Sequence, residues 1–504
     1  MSKIVVLDFG GQYKELIARR VRSLNVYSEV HPGRISADEL KTMNPDGIIL
    51  TGGPNSVYLP DSQTCDPGIF GLGVPVLGIC YGMQLMVHTL GGKVAPGEVS
   101  EFGVVDCEFR GTNRKVLMSH GDRVFALPEG FRVLGSTKDC PIAACENVTA
   151  KLYAVQFHPE VTHTERGIEI IQDFLFNVCK ITPDYYLDDV IDTLCEQIRG
   201  QVGGDRVLLG LSGGVDSSVV AALLSKAIPS QTLCVFVDHG LMRLNEGDQI
   251  ESVFSKRDLE FARVNAETRF LSKLTGVTDP ESKRKIIGEE FARVFEDVAK
   301  SRGNTEDYFL AQGTIYPDVI ESGDSKTGGA DVIKSHHNVG GLPKDLKFKG
   351  LVEPLRGLFK DEVRALGRKL GLPPELVERQ PFPGPGLGIR VIGDITKDKL
   401  DVLRKADAIF RESIDGIPFE ERPAQYFAVL TDLRAVGVTG DARSYGNVLA
   451  LRAVYTDDFM TCRYVPLTHE LLNGVSQRIT NEIRSIGRVV YDITDKPPAT
   501  LEWE

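Results

Sequence analysis

Two short strings in this 504-residue chain combine residue types that do chemistry. The first pairs a thiol with a base. Cys80 lies in Gly78-Ile79-Cys80-Tyr81-Gly82-Met83-Gln84, after an apolar run of strand length and before a helix-like stretch. Small residues on both sides permit a sharp strand-to-helix elbow that exposes the sulfur and aims it at a helix N-terminus, where a thiol ionises more readily. Gln156-Phe157-His158-Pro159-Glu160 also follows a strand, Lys151–Val155. His158 can take the thiol proton, and Glu160, two residues on in extended chain, can orient the imidazole. Thr51-Gly52-Gly53-Pro54 supplies a glycine turn whose N–H groups, with that of Tyr81, can form an oxyanion hole. A cysteine after a strand is by itself more often a core residue; the base and the oxyanion turn together reverse that reading.

The second string is Ser212-Gly213-Gly214-Val215-Asp216-Ser217-Ser218, between the apolar run Val207–Leu211 and a helical stretch stopped by Pro229. The glycine pair lets backbone approach a ligand without a Cβ clash, and the helix that follows offers unpaired N–H groups and a positive dipole end. Three hydroxyls flank the turn. Asp216 would repel a bare phosphate, so its presence points to a bridging Mg²⁺. No Lys follows the glycines, so this is not a Walker loop; it is a cradle suited to a pyrophosphate leaving group.

These strings require strands that end where the chemistry is. Strand and helix alternate from residue 3, with strands expected at Ile4–Leu7, Gly47–Leu50 and Val74–Ile79, and this rhythm predicts a mostly parallel, doubly wound sheet. A break at Thr182-Pro183-Asp184 marks a first boundary, giving an expected domain 1–190. The cradle opens a second α/β unit, 191–380. Its next strand ends at Asp238, either an adenosine contact or an ordinary helix cap, and Arg243 beyond it is either a contact for an anionic co-substrate or an exposed side chain at a helix start. Asp318 and Glu321 share a helical face, as acids of a first turn or as partners of Mg²⁺ or nucleotide. The Gly/Ser/Asp-rich stretch from Ser322, followed by Lys334, His336 and His337 among glycines, suits a closing flap that brings positive charge onto phosphates and excludes water. The Pro/Gly-rich Gln380–Gly388 then reads as a rigid connector to a small α+β domain, 381–504, expected to open on a strand at Ile389–Ile392 and to dimerise. The final Lys496–Glu504, with the only Trp and two prolines, reads as docked, with a cation for a phosphate and a backbone edge for a base. A net charge of −12 argues against broad binding to nucleic acid or anionic membrane. Nine scattered cysteines without a C-x-x-C pair, no signal peptide and no membrane-length run predict a cytoplasmic protein with neither disulfides nor structural zinc.

GICYGMQ, QFHPE, TGGP and Met118-Ser119-His120-Gly121-Asp122 together resemble a class I glutamine amidotransferase domain, flavodoxin-like and doubly wound. The resemblance implies that Cys80 attacks the side-chain amide of L-glutamine and releases ammonia, with Gly52, Gln84, His120 and Asp122 around the glutamine or its oxyanion. SGGVDSS resembles the PP-motif of ATP pyrophosphatases, Rossmann-type domains of the adenine nucleotide alpha hydrolase-like class, which adenylate an acceptor. With YPDVIES, KSHHNVGGLP, PFPGPGL, GDARSY and KPPATLEWE following in that order, the chain is similar to the family of glutamine-hydrolysing GMP synthetases. That implies ATP held by Ser212–Ser218 with Asp238, Lys334 and His336, and Mg²⁺ on Asp216. XMP would be adenylated and then aminated. Lys496 and Glu502 match positions on XMP, and Arg243 and Leu501 complete the expected XMP set; the last domain would make a homodimer. Position 380 is Gln where the family more often has His. The rivals are a PP-motif amidotransferase with another acceptor and an RNA-base-modifying enzyme; the acidic charge, and a last domain without a Gly-X-X-Gly loop flanked by basic residues, weigh against the second.

Overall fold

The computed structural model describes residues 1–303, 305–322, 348–418, 421–439, 442–456 and 461–504; Lys334, His336 and the flap that carries them lie outside the described residues. The chain divides into two compact units, Met1–Val190 and Ile191–Glu504.

The first unit is built on one nine-stranded sheet. Its strands are β1 (Lys3–Asp8), β2 (Tyr27–Pro32), β3 (Gly47–Leu50), β4 (Val76–Ile79), β5 (Lys93–Phe109), β6 (Thr112–Ala126), β7 (Arg132–Thr137), β8 (Ala144–Asn147) and β9 (Leu152–Val155), in the spatial order β2-β1-β3-β4-β9-β8-β7-β5-β6. The pairs from β2 to β9 are parallel. Numbered among themselves those five strands run 2-1-3-4-5, the flavodoxin-like order. β3 and β4 are buried at every residue, as parallel strands covered on both faces must be, so they read as unbroken apolar runs. The long β5–β6 hairpin escapes a sequence reading because most of its residues are exposed or only partly buried and carry no continuous apolar run. It matters, since β6 carries His120 and Asp122.

In the second unit β10 (Arg206–Leu211), β11 (Thr232–Asp238), β12 (Glu260–Asn265), β13 (Tyr308–Ala311) and β14 (Gly350–Val352) form an all-parallel sheet ordered β12-β11-β10-β13-β14. The winding direction reverses between β10 and β13, and ligands of open α/β sheets bind at such a switch point, outside the carboxyl ends of the strands. The loops after these two strands touch: a Cβ on Gly313 would lie 3.1 Å from that of Asp216. A further sheet holds β15 (Gln425–Thr439), β16 (Ala442–Tyr455), β17 (Arg463–Tyr464) and β18 (Ile486–Tyr491), with the helices Lys397–Asp415 and His469–Glu482 packed on it. One cluster of buried side chains runs from Leu208 through Leu387 and Leu400 to Ile486. The strand expected at Ile389–Ile392 is not formed. Gly386–Ile389 is a 3-10 turn, and only Val391 makes an isolated bridge, to Leu430. Gly386 turns with φ of 62° directly against the carbonyl of Leu241, which leaves no straight run for a strand.

Candidate active sites

In the first unit three neighbouring strands, β3, β4 and β9, deliver Gly52-Gly53, Cys80 and His158 from their carboxyl ends. Cys80 has φ of 53° and ψ of −108°, the strained elbow expected of an exposed nucleophile, and the helix Tyr81–Thr89 starts at the next residue. Close approach explains the flanking glycines. A Cβ on Gly78 would meet the Gly82 carbonyl oxygen at 2.7 Å, and one on Gly82 would run into that of Leu50. Gly52 faces the reacting pair: its Cβ would sit 3.3 Å from His158 Cε1 and 3.7 Å from Cys80 Cβ. At Gly53 a side chain would strike the Phe9 carbonyl oxygen at 2.6 Å.

His158 is buried, with Nδ1 2.7 Å from Oε1 of Glu160, and the edge of Tyr13 packs on the imidazole at 5.1 Å between centroids. Burial alone would disfavour the imidazolium. The hydrogen bond with Cys80 and the Glu160 carboxylate outweigh it and raise His158 to about 10. Glu160 is 1 % exposed and its Oε2 has no partner, so its charge is spent on the histidine. The arrangement is a thiol–imidazole–carboxylate set, with the base held for the nucleophile. Burial pushes the thiols of Cys65 and Cys107 to about 11 and those of Cys140, Cys145 and Cys179 to about 12, which marks them as packing residues. All nine cysteines are free.

The other residues expected around glutamine form a second layer beside Cys80. Gln84 is buried and donates to the Asp122 carbonyl at 2.9 Å and to Gln156 Oε1 at 3.1 Å, while Gln156 Nε2 reaches Cys80 Sγ at 3.7 Å. Gln156, for which the sequence offered no role, is thus the link between Gln84 and the sulfur. His120 donates through Nδ1 to the Asp122 carbonyl at 2.9 Å and faces Glu101 Oε2 through Nε2 at 3.1 Å; burial holds its pKa down. Asp122 Oδ1 accepts from the Tyr58 hydroxyl at 2.8 Å.

In the second unit the helix Val215–Ala227 starts directly after Gly214, with no side chain capping its first N–H groups. Gly213 turns at φ of 77°, and Ser212 Oγ and Ser217 Oγ lie 3.0 Å apart. Ser218 is 1 % exposed, and its Oγ is buried without a hydrogen-bond partner, an orphaned donor in the first turn of the helix. Asp216 already holds a cation: Lys360 Nζ is 2.7 Å from both carboxylate oxygens. Arg379 donates to the Gly213 carbonyl and pairs with Glu246, and burial lowers its pKa to about 9. Neither Lys360 nor Arg379 stood out in the sequence. The one local hint was a lysine opening the helix Lys360–Lys369, against the helix dipole.

Asp238 caps no helix. Its Oδ2 pairs with Arg263 at 2.6 Å and its Oδ1 accepts from Gly240 N at 3.3 Å, which ties down the end of β11. Asp318 accepts from Ile315 N at 3.0 Å, in the first turn of Tyr316–Ser322. The reading of Arg243 as an exposed side chain does not hold: it is 5 % exposed, 4.2 Å over the ring of Phe382, with Nε 4.0 Å from Asp407 Oδ2 and neither Nε nor Nη2 hydrogen-bonded. Arg390 lies 5.4 Å from the same ring and grips Glu502 with two parallel bonds, Nε to Oε2 at 3.0 Å and Nη2 to Oε1 at 2.8 Å. Two of the expected XMP residues, Arg243 and Glu502, are therefore joined through Phe382 and Arg390. The tail is docked. Arg452, fully buried, donates to the carbonyls of Thr494, Thr500 and Leu501, and Lys496 pairs through its backbone with Cys462. Gln380 pins the connector to β15, donating to the Tyr426 carbonyl and accepting from its N–H, both at 2.8 Å.

Comparison with known proteins identifies the family. Residues 5–178 match the family description "Glutamine amidotransferase class-I", 186–273 match "NAD synthase" and 412–503 match "GMP synthase C terminal domain". The chain is 56% identical over 513 residues to the glutamine-hydrolyzing GMP synthase of Clostridium botulinum strain Alaska E43, covering 99% of each. It is 56% identical over 511 residues to that of Acetivibrio thermocellus, again over 99% of each. With its amidotransferase sheet, its phosphate-cradle sheet and its last domain matched end to end in one chain, the protein belongs to the glutamine-hydrolyzing GMP synthase family.

Proposed function

We propose that the two units divide the work of making GMP from XMP, ATP and L-glutamine, a ligation with glutamine as amido donor. In the first unit the Cys80 thiolate attacks the glutamine side-chain carbonyl carbon. The oxyanion lies toward the N–H groups of Gly53 and Tyr81, and the C–N bond breaks as His158 hands its proton to the departing ammonia. Water, deprotonated by His158, cleaves the thioester and frees glutamate and the thiol. Glu160 keeps the imidazole oriented throughout. In the second unit the 2-oxygen of XMP attacks the α-phosphorus of ATP and pyrophosphate leaves. Ammonia then adds at purine C2, and AMP departs.

Ser212–Ser218 hold the pyrophosphate portion, with the orphaned Ser218 hydroxyl and the uncapped N–H groups as donors. The donor set fits Mg²⁺ arriving with the nucleotide: the Asp216 side chain, 29% exposed beside Lys360, would supply one carboxylate, and such an ion takes one or two carboxylates plus phosphate oxygens. When bound, the ion neutralises charge developing on the leaving pyrophosphate. Arg243, Lys496, Leu501 and Glu502 recognise XMP, and Asp238 is placed at a strand end suited to the ribose of ATP. A homodimer is supported by the exposed apolar side chains of Leu433, Val436, Val438 and Tyr445 on the β15–β16 hairpin. A cytoplasmic location is supported by nine free cysteines, and no helix among the described residues is long and apolar enough to cross a membrane.

The observation that carries this reading is His158, hydrogen-bonded to Glu160, with Gly52 against both His158 and Cys80. The test is product analysis of the purified protein with XMP, ATP, Mg²⁺ and glutamine. GMP, AMP, pyrophosphate and glutamate are expected in equal amounts; ADP in place of AMP, or turnover without XMP, overturns it.

A further inference from the structure

We propose that Arg390 is the positioning residue of the purine site, orienting the Glu502 carboxylate that meets XMP; this rests on the reading of Glu502 given above. Arg390 is 0% exposed, and its guanidinium carbon lies 4.0 Å from the centroid of the Phe427 ring and 5.4 Å from that of Phe382. Two of its nitrogens are spent on the two oxygens of one carboxylate, a planar fork that fixes both the position and the rotation of Glu502. Gln425 adds a third donor, to Glu502 Oε1 at 3.4 Å. The Glu502 side chain nevertheless keeps 14% of its surface open, so the clamp does not seal it off from solvent.

The economy of this arrangement is poor as stabilisation alone. A guanidinium stripped of water is costly to bury, and packed apolar residues of the same volume commonly do as well or better. Arg390 also leaves Nη1 buried with no hydrogen-bond partner, as Arg243 on the other contact of Phe382 leaves Nη2, while its Nε faces Asp407 Oδ2 at 4.0 Å. Buried N–H groups without acceptors are rare, and these await acceptors that an oxopurine nucleotide carries on its ring and phosphate. A clamped carboxylate in turn accepts from ring N–H or ribose hydroxyl donors, and a site with satisfied geometry only when the ligand is present discriminates strongly between purines.

The test measures AMP release with ammonium as the nitrogen donor, so that glutamine chemistry does not enter. Arg390→Lys keeps the charge and loses the fork; Arg390→Met keeps the volume and loses both. Both are expected to raise KM for XMP about tenfold or more, with a smaller fall in kcat and less than about a twofold change in KM for ATP. In a Glu502→Gln background, replacing Arg390 should add little further. A KM for XMP within about twofold of wild type in Arg390→Lys, or effects of Arg390 and Glu502 substitutions that simply multiply, overturns the proposal. Should Arg390→Met fail to fold, Arg390→Lys with and without Glu502→Gln still decides. A wild-type protein that releases no AMP with XMP would instead sink the functional reading before Arg390 is reached.

Discussion

Around Cys80 the positions of the reacting groups are set by backbone packed against backbone: side chains at Gly53, Gly78 or Gly82 would strike carbonyl groups of Phe9, Gly82 and Leu50. Around Ser212–Ser218 they are set by charge: Asp216 on Lys360, Arg379 on Glu246, and Asp238 on Arg263 beyond the end of β11. The first kind of site has no slack and is finished before substrate arrives. The second is held by pairs whose members a polyphosphate can take over, since a phosphate oxygen competes for the same cations. The contrast matches what each site must do. A thiolate needs one fixed geometry for a small amide, whereas a nucleotide site has to stay closed electrostatically until several charges enter at once.

The most decisive way to break the comparison is to disable each site in turn. Cys80→Ala should lower glutamine-dependent GMP formation at least about a thousandfold while ammonium-dependent formation persists. Asp216→Ala should stop pyrophosphate release with either nitrogen source; persistence of that release would remove Asp216 from the phosphate site. Next in size is Lys360→Met, expected to slow pyrophosphate release about tenfold or more by leaving Asp216 without its cation and the phosphates without a donor. Unchanged ATP kinetics would mean that Lys360 serves the fold only.

The packing side of the contrast is sharpened by two glycines. Gly82→Ala drives a methyl into the Leu50 carbonyl and should cost about 2–3 kcal/mol. Gly213→Ala meets the movable tip of Ile250 and a left-handed φ, and should cost about 1–2 kcal/mol. Urea unfolding of each variant measures the difference, and equal losses would contradict it. A pH dependence completes the set. His158 is raised from 6.5 to about 10 in the folded chain, so its contribution to stability is fully present below about pH 6.5 and lost as pH climbs through about 10. The Tm advantage of wild type over His158→Asn should therefore shrink between pH 7 and pH 10; a gap that widens would show that the imidazolium is not the stabilising form.

Much of this was legible because the relevant signals are local. A strand buried on both faces announces itself as an apolar run, and Gly-Gly or Cys between small residues marks a turn that larger side chains cannot make. The parallel order, the elbow at Cys80 and the cradle at Gly213-Gly214 all follow from such runs. The β5–β6 hairpin did not show itself, because half-exposed antiparallel strands leave only a weak alternation. Ile389–Ile392 misled, because an apolar string cannot reveal that the preceding glycine folds the chain back on Leu241.

What the amino-acid order decided by itself, then, is which groups can react and which stretches must end in tight turns, since both depend on residue type and nearest neighbours. What the tertiary structure alone decided is which charges meet. Lys360 reaches Asp216 across 144 residues, Arg390 reaches Glu502 across 112, and Gln156 reaches Cys80 across 76. A long polar side chain looks the same in sequence whether it ends in water or on a buried carboxylate. Only the packing of distant strand ends and helices takes away the water and makes one partner, rather than solvent, the group it must satisfy.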